Sequence, residues 1–289
     1  MNIQKYMAFV KAAEYGSFTR AADALNYTQS GISRMINDIE SDWGIPLFER
    51  GRAGISLTSD GLKLLPQLQR ICNEHDMLMR QVEDLKDLQS GMIRIGTFSS
   101  VATHWLPNII KFFQKDYPNI DFELLLGDYT EIETWIIEGR VDFGFLRIPT
   151  RTEIETILLE KDRLLVVLPT DHPFANCEKF PINELLNNSF MLLEKGGKAE
   201  ISEIFEKHQI SPSVHFTTWD DYAIMSMVEN GLGISILPEL ILQRVPYQII
   251  TKELEVPAFR NIGIGMRDQQ SLSLSANRFL EYLSYRKKE

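Results

Sequence analysis

Five polar side chains, Gln29, Ser30, Ser33, Arg34 and Asn37, fall on one side of a stretch whose other side carries Ile32, Met35, Ile36, Ile39 and Trp43 at helical spacing. Such a face suits base edges. Glutamine and asparagine amides pair with the adenine edge, arginine with guanine or phosphate, and serine with either. A solvated polar face has the same periodicity and stays open on these residues alone. Asp38 lies beside the face and would repel a phosphate backbone, which centres the contact on Gln29, Ser33 and Asn37. Ser17 and Thr19, at the start of the preceding helix, offer hydroxyls and unpaired backbone N–H groups to a phosphate. Arg50 and Arg52, flanking Gly51, offer cations to the duplex backbone or the minor groove.

Catalytic patterns are poor by comparison. Gly231-Leu232-Gly233 meets Ile236 where a dinucleotide fingerprint needs its third glycine, and Gly196-Gly197-Lys198 lacks the first glycine and spacing of a phosphate loop. No Gly-x-Ser-x-Gly elbow and no His-Glu-x-x-His pair occurs. His172 and His215 have no Cys or His partner nearby in sequence, and Cys72 and Cys177 are too few and too far apart for a zinc site or a disulfide framework. No catalytic set, metal or cofactor is expected.

The elements that must position these residues follow from spacing. Ile3, Tyr6, Met7, Val10 and Ala13 predict a first helix, ended by Gly16; Ser17 caps a second over Phe18–Leu25, and Thr28 caps the third, which Gly44 and Pro46 end. Leu47–Thr58, with a glycine-rich turn at Arg50–Gly54, suits a two-stranded wing. Over 61–90, Leu64, Leu68, Ile71, Leu78, Val82 and Leu85 form an interrupted heptad seam for self-association, the alternative being a helix packed on its own domain. Pro66 costs that helix a hydrogen bond unless it sits in the first turn or at a bend. Beyond Gly91 strands are predicted at Met92–Phe98, Ile120–Leu126, Val141–Leu146, Leu164–Leu168, Phe190–Leu193, Val214–Thr217, Ile234–Leu237 and Asn261–Met266, with helices between, which argues for parallel sheets covered on both faces.

Length and composition agree with two domains. The chain has 289 residues, 44% hydrophobic and 24% charged, which excludes disordered and fibrous classes. The net charge of -10 is uneven: residues 1–60 carry six basic and seven acidic groups, whereas 91–289 carry 20 and 28. Binding to a polyanion depends on a local patch, so the total does not exclude it. The longest apolar run, Leu164–Leu168, is too short to cross a bilayer, and Met1 opens no secretory pattern, so a cytoplasmic protein with no membrane partner is expected.

The run Phe9–Leu25, then Thr28–Arg34, Ile39-Glu40, Gly44–Arg50 and Leu57-Thr58 resembles the DNA-binding domain of LysR-type transcriptional regulators, with Ser30 where many members have proline. Gly96-Thr97, Leu106-Pro107, Tyr117-Pro118, Gly139–Gly144, Asp171–Pro173 and Gly231–Ile234 with Leu237-Pro238 resemble the effector domain of that family. Together they cover essentially the whole chain. The resemblance implies an all-α winged helix-turn-helix over 1–60, a linker and dimerisation helix over 61–90, and an effector domain over 91–289. That last domain is expected to be α/β, two-lobed and periplasmic-binding-protein-like. Lobe I is expected at about 91–161 with 267–289 and lobe II at 162–266.

It further implies double-stranded operator DNA, a small-molecule effector, a second copy of the chain in a homodimer or homotetramer, and RNA polymerase as partners. The paired sensing cysteines of peroxide-responsive relatives are not matched. By the family pattern the effector sits where strand ends meet helix starts. There Thr97, Ser99, Ser100 and Thr130 supply hydroxyls, Arg147 a fork for a carboxylate unless an internal acid such as Asp142 holds it, and Thr217 and Thr218 close over the ligand. That set points to an anionic effector. The rivals are a small-molecule binding module working through protein contacts without DNA, and an enzyme using the cleft with Arg147 on its substrate.

Overall fold

The computed structural model describes residues 2–51, 54–84, 91–194 and 200–287. Arg52 of the wing and Leu85 of the seam lie outside them. The chain divides into two compact units, one of Met1–Asp87 with Glu138–Arg140 and one of Leu88–Ile137 with Val141–Glu289.

The first unit begins with α1 (Ile3–Tyr15), α2 (Phe18–Leu25) and α3 (Gln29–Trp43). Each starts on a side chain that accepts a backbone N–H: Asn2 from Gln4, Ser17 from Arg20 and Thr28 from Gly31. The apolar stripes meet in one core. Phe9, Ala12, Ala21, Ile32, Ile36 and Leu47 have no exposure, and Phe48 packs against Phe9 and Phe18 with ring centroids 5.3 and 5.5 Å apart. The wing is the antiparallel pair β1 (Phe48–Gly51) and β2 (Gly54–Leu57). Its start is anchored by Glu40, whose Oε1 accepts the backbone N–H of Leu47 at 2.6 Å and of Phe48 at 3.1 Å.

Next comes α4 (Ser59–Asp84), with Pro66 inside it and past the first turn. Proline removes the bond to the carbonyl of Leu62, a residue that stands 59% exposed. Gly61 has no room for a side chain, because a Cβ there would come within 2.4 Å of the Leu47 carbonyl oxygen. The expected seam divides. Leu68 is buried in the winged-helix core and Leu64 packs against it, whereas Ile71 and Leu78 are 45% and 57% exposed. Leu64 and Leu68 thus belong to the domain's own core rather than to an open seam, since they lie in the turns of α4 that follow the wing.

The second unit contains β3 (Gly91–Thr97), α5 (Ser99–His104), α6 (Leu106–Asp116), β4 (Ile120–Leu126), α7 (Tyr129–Ile137), β5 (Phe143–Ile148) and β6 (Glu155–Pro169). It continues with β7 (Phe190–Leu193), α8 (Glu200–His208), β8 (Val214–Thr218), α9 (Asp221–Glu229), β9 (Ile234–Pro238), β10 (Ile249–Glu253), β11 (Phe259–Met266) and α10 (Leu274–Glu281). The strand order is β4-β3-β5-β11-β6-β9-β7-β8, with β10 also on β6.

The sheet is mixed, not parallel throughout as the alternation of strands and helices suggests. β3 runs parallel to β4 and β5, and β7 parallel to β8 and β9, but β6 and β11 run antiparallel to their neighbours. The cause is the length of β6. Its first part pairs with β11 and its last part with β9 and β10, so one strand serves both lobes. The charged stretch Glu160–Arg163 hid that continuity, and β10 went unpredicted.

The chain crosses back beside Leu164, whose N–H bonds the Ala258 carbonyl at 3.0 Å. Ile262, Ile264 and Met266 of β11 sit in the first lobe's core with Ile95, Phe143 and Phe145. The second crossing is therefore near 258, and the expected lobe II boundary at 266 is corrected. Gly144 lets α7 lie close on β5, for a Cβ there would meet Ile132 at 2.5 Å.

Candidate functional site

On α3, Gln29, Ser30, Arg34 and Asn37 are exposed and Ser33 half-buried, while Ile32, Ile36 and Ile39 are buried on the opposite side. Arg34 has no hydrogen-bond or ionic partner among the described residues. Asp38 does not obstruct the face, because Lys5 of α1 draws it back in an ion pair at 3.1 Å and holds Asp42 at 3.9 Å. Asn37 and Arg50 are joined: the Arg50 guanidinium donates to the Asn37 carbonyl oxygen and lies over the Phe18 ring at 5.4 Å. The wing cation is thereby held against the helix. Ser17 spends its hydroxyl capping α2, Thr19 is exposed beside it, and the Ser30 hydroxyl lies 3.2 Å from that of Thr28.

The second unit holds a cavity of about 300 Å³ between its lobes. Ser99, Ser100, Thr130 and Arg147 line it from the first lobe, as expected. Three expected residues do not line it. Thr97 is fully buried, with its hydroxyl 3.4 Å from the Phe98 carbonyl it donates to. Thr217 is exposed on β8, and Thr218 accepts the backbone N–H of Asp220 at 3.3 Å. The strand ends before it reaches the cavity, and the residues beyond it, Trp219 and Asp221, form the wall instead.

At the base stands Arg260 of β11, only 5% exposed. It pairs with Asp162 at 2.8 Å, donates to the Ser100 hydroxyl at 2.8 Å and to the Tyr129 phenol at 2.9 Å, and lies over the Phe98 ring at 5.0 Å. Tyr129 in turn donates to Glu200 of the second lobe at 3.1 Å. A second cross-lobe contact is the ion pair of Arg147 with Glu203, so the notion that Asp142 holds Arg147 is corrected; Asp142 instead accepts the Arg94 backbone N–H at 2.7 Å. Asp221 is 8% exposed; burial pushes its carboxyl up to about 6, Arg260 pulling it back, and Ser99 hydrogen-bonds it.

Among the described residues no group of His, Cys, Asp and Glu could hold a metal ion, and no helix is long and apolar enough to cross a membrane. Both cysteines are free, and burial, with Asp76 adding to it, pushes the Cys72 thiol up to about 11.

Residues 3–62 match the family described as bacterial regulatory helix-turn-helix protein, lysR family, and residues 86–287 match the LysR substrate binding domain. The chain belongs to the LysR family. This LysR-family chain is 31% identical over 284 residues to the uncharacterized HTH-type transcriptional regulator YvbU of Bacillus subtilis (strain 168), covering 97% of each. It is 32% identical to the probable HTH-type transcriptional regulator LrrA of Synechococcus elongatus, with 91% of this chain and 90% of that one covered. Among solved structures, full-length CbnR complexed with its target DNA superposes with a TM-score of 0.74 at 21% identity, covering 99% of this chain and 100% of that one. Full-length BenM gives 0.60 at 27%, covering 98% and 96%. The LysR-family chain is thus a DNA-binding transcriptional regulator with an effector-binding domain.

Arg260 and Asp221 escaped the sequence reading for different reasons. Arg260 lies in a strand predicted to start one residue later, with no motif around it. Asp221 follows another aspartate and reads as the start of a helix, which it also is.

Proposed function

We propose that this regulator binds paired operator sites as a homodimer or homotetramer, and that a small molecule in the inter-lobe cavity sets the geometry of that complex. The observation that carries the reading is the exposed polar face of α3, backed by a fully apolar one and flanked by a wing cation tied to it. Gln29, Ser33, Arg34 and Asn37 read base edges; Thr19, Arg50 and Arg52 serve the phosphates. Ile71, Leu78 and Val82 of α4 meet a second copy of the chain. The protein works in the cytoplasm, by binding rather than turnover, and acts on RNA polymerase through the DNA it occupies. Effector binding shifts the lobes and with them the spacing of the paired reading heads.

Footprinting on the DNA upstream of its own gene, at two salt concentrations, tests this. Paired protected sites that fade with salt are expected, because phosphate contacts release counterions. Absence of protection at either salt, with and without a ligand for the cavity, rejects paired operator sites under the control of the cavity.

A further inference from the structure

The cavity walls carry an excess of negative charge. Five carboxylates line it among the described residues, Asp128, Glu133, Glu194, Glu200 and Asp221, against the guanidiniums of Arg147 and Arg260. Both cations are already matched by acids outside that wall, Glu203 and Asp162. Of the carboxylates, Glu133 is neutralised by Arg151 at 3.0 Å, and Asp128 is spent on the backbone N–H of Glu131. Glu194 receives the Ser202 hydroxyl, and Glu200 shares Arg260 only at 3.8 Å.

Asp221 is nine-tenths buried, faces the cavity and has no ion pair among the described residues. A carboxylate removed from water with no cation in ion-pair contact is costly, Arg260 acting on it only from beyond that distance, and a cation delivered by the ligand removes that cost. The aromatic rings of Trp219 and Tyr129 and the apolar side chains of Leu126, Leu193 and Ile201 complete a wall suited to a short alkyl chain ending in an ammonium group. The hydroxyls of Ser99 and Ser100, expected from the sequence to serve an anionic effector, are already committed to Asp221 and Arg260.

We infer that the effector is a small aliphatic amine whose ammonium group is held by Asp221 with Glu200 and Glu194. This rests on the cavity being the effector site.

Thermal melts of the full chain, at matched ionic strength, with about 10 mM of diamines of three to five carbons or of dicarboxylates of the same lengths, test the class. The diamines raise the midpoint by about 2 to 4 °C and the dicarboxylates leave it in place. The shift disappears in Asp221→Asn, and Glu194→Gln reduces it should Asp221→Asn fold poorly. No shift with any diamine, or an equal or larger one with dicarboxylates, overturns the inference. Failure here with the operator footprint intact rejects only the ligand class; failure of both rejects the cavity-controlled operator reading with it.

Discussion

Arg260 and Asp162 form an ion pair at 2.8 Å with both side chains 5% exposed, one on β11 and the other on β6, beside the point where the chain crosses between the lobes. The Asp162 carboxylate also accepts the Leu240 backbone N–H at 3.0 Å, so the pair fixes the second lobe's chain as well as the first lobe's helices. Removing Arg260 leaves an uncompensated buried carboxylate and takes a donor from the Ser100 and Tyr129 hydroxyls. Arg260→Ala is expected to cost about 3 to 5 kcal/mol. Adding Asp162→Asn recovers part of it, because the stranded charge goes too. Urea denaturation followed by tryptophan fluorescence, run as a double-mutant cycle, measures both.

Asp221 makes stability depend on pH in a direction opposite to an ordinary salt-bridged carboxylate. Its carboxyl is raised from 3.8 to about 6 by burial, against the pull of Arg260 and the Ser99 hydrogen bond and with Asp220 pushing further up. Between those values the native state binds more protons than the unfolded chain, so stability falls as pH rises from about 4 to about 6 and then levels off. The full penalty at neutral pH is on the order of 3 kcal/mol. Asp221→Asn is expected to be more stable than the parent at pH 7 and to lose that slope, as midpoints across the window will record. Amine binding by the parent weakens as pH falls through about 6, since protonation of Asp221 removes the countercharge.

The tie between Asn37 and Arg50 gives the proposed DNA face two variants with different expected effects. Arg34 is unpaired and exposed, so Arg34→Ala is expected to weaken operator binding by about 1 to 3 kcal/mol without disturbing the fold. Asn37→Ala removes an amide from the reading face and also frees the wing cation, so it loses sequence discrimination and changes the salt dependence together. Titrations against operator and scrambled duplexes at two salt concentrations distinguish the two variants.

Much of the DNA-binding unit was legible because capping is local chemistry. Ser17, Thr28 and the glycines at 16 and 44 mark helix ends within a few residues of where they act. The inter-lobe cavity was less so, since its walls come from distant segments. Ser99, Ser100, Thr130 and Arg147 follow strands that a period-two pattern finds, and they do reach the cavity. Thr217 and Thr218 also follow the pattern, but β8 runs to Thr218 and the wall begins one residue later. Arg260 was invisible because its partners, Asp162, Ser100 and Tyr129, lie about a hundred residues or more away along the chain. No spacing rule reports an ion pair between two strands that lie so far apart in sequence.

The linker helix carries the sharpest test of what its leucines do. Leu68 is 4% exposed inside its own domain and Leu78 is 57% exposed, although both occupy the same apolar seam in sequence. A residue buried within one chain contributes to folding, whereas one left open in the single chain gains burial only from a partner. Leu68→Ala is therefore expected to cost the DNA-binding unit about 2 to 5 kcal/mol while leaving the assembled mass unchanged. Leu78→Asp and Ile71→Asp should leave the melting of that unit intact and shift the assembly toward monomer, since each would bury an unpaired charge at the contact. Light scattering on the eluting peaks reads the mass directly. A monomer from Leu68→Ala at a temperature where it remains folded, or an undiminished oligomer from the paired aspartates, would reverse the assignment of the two halves of α4.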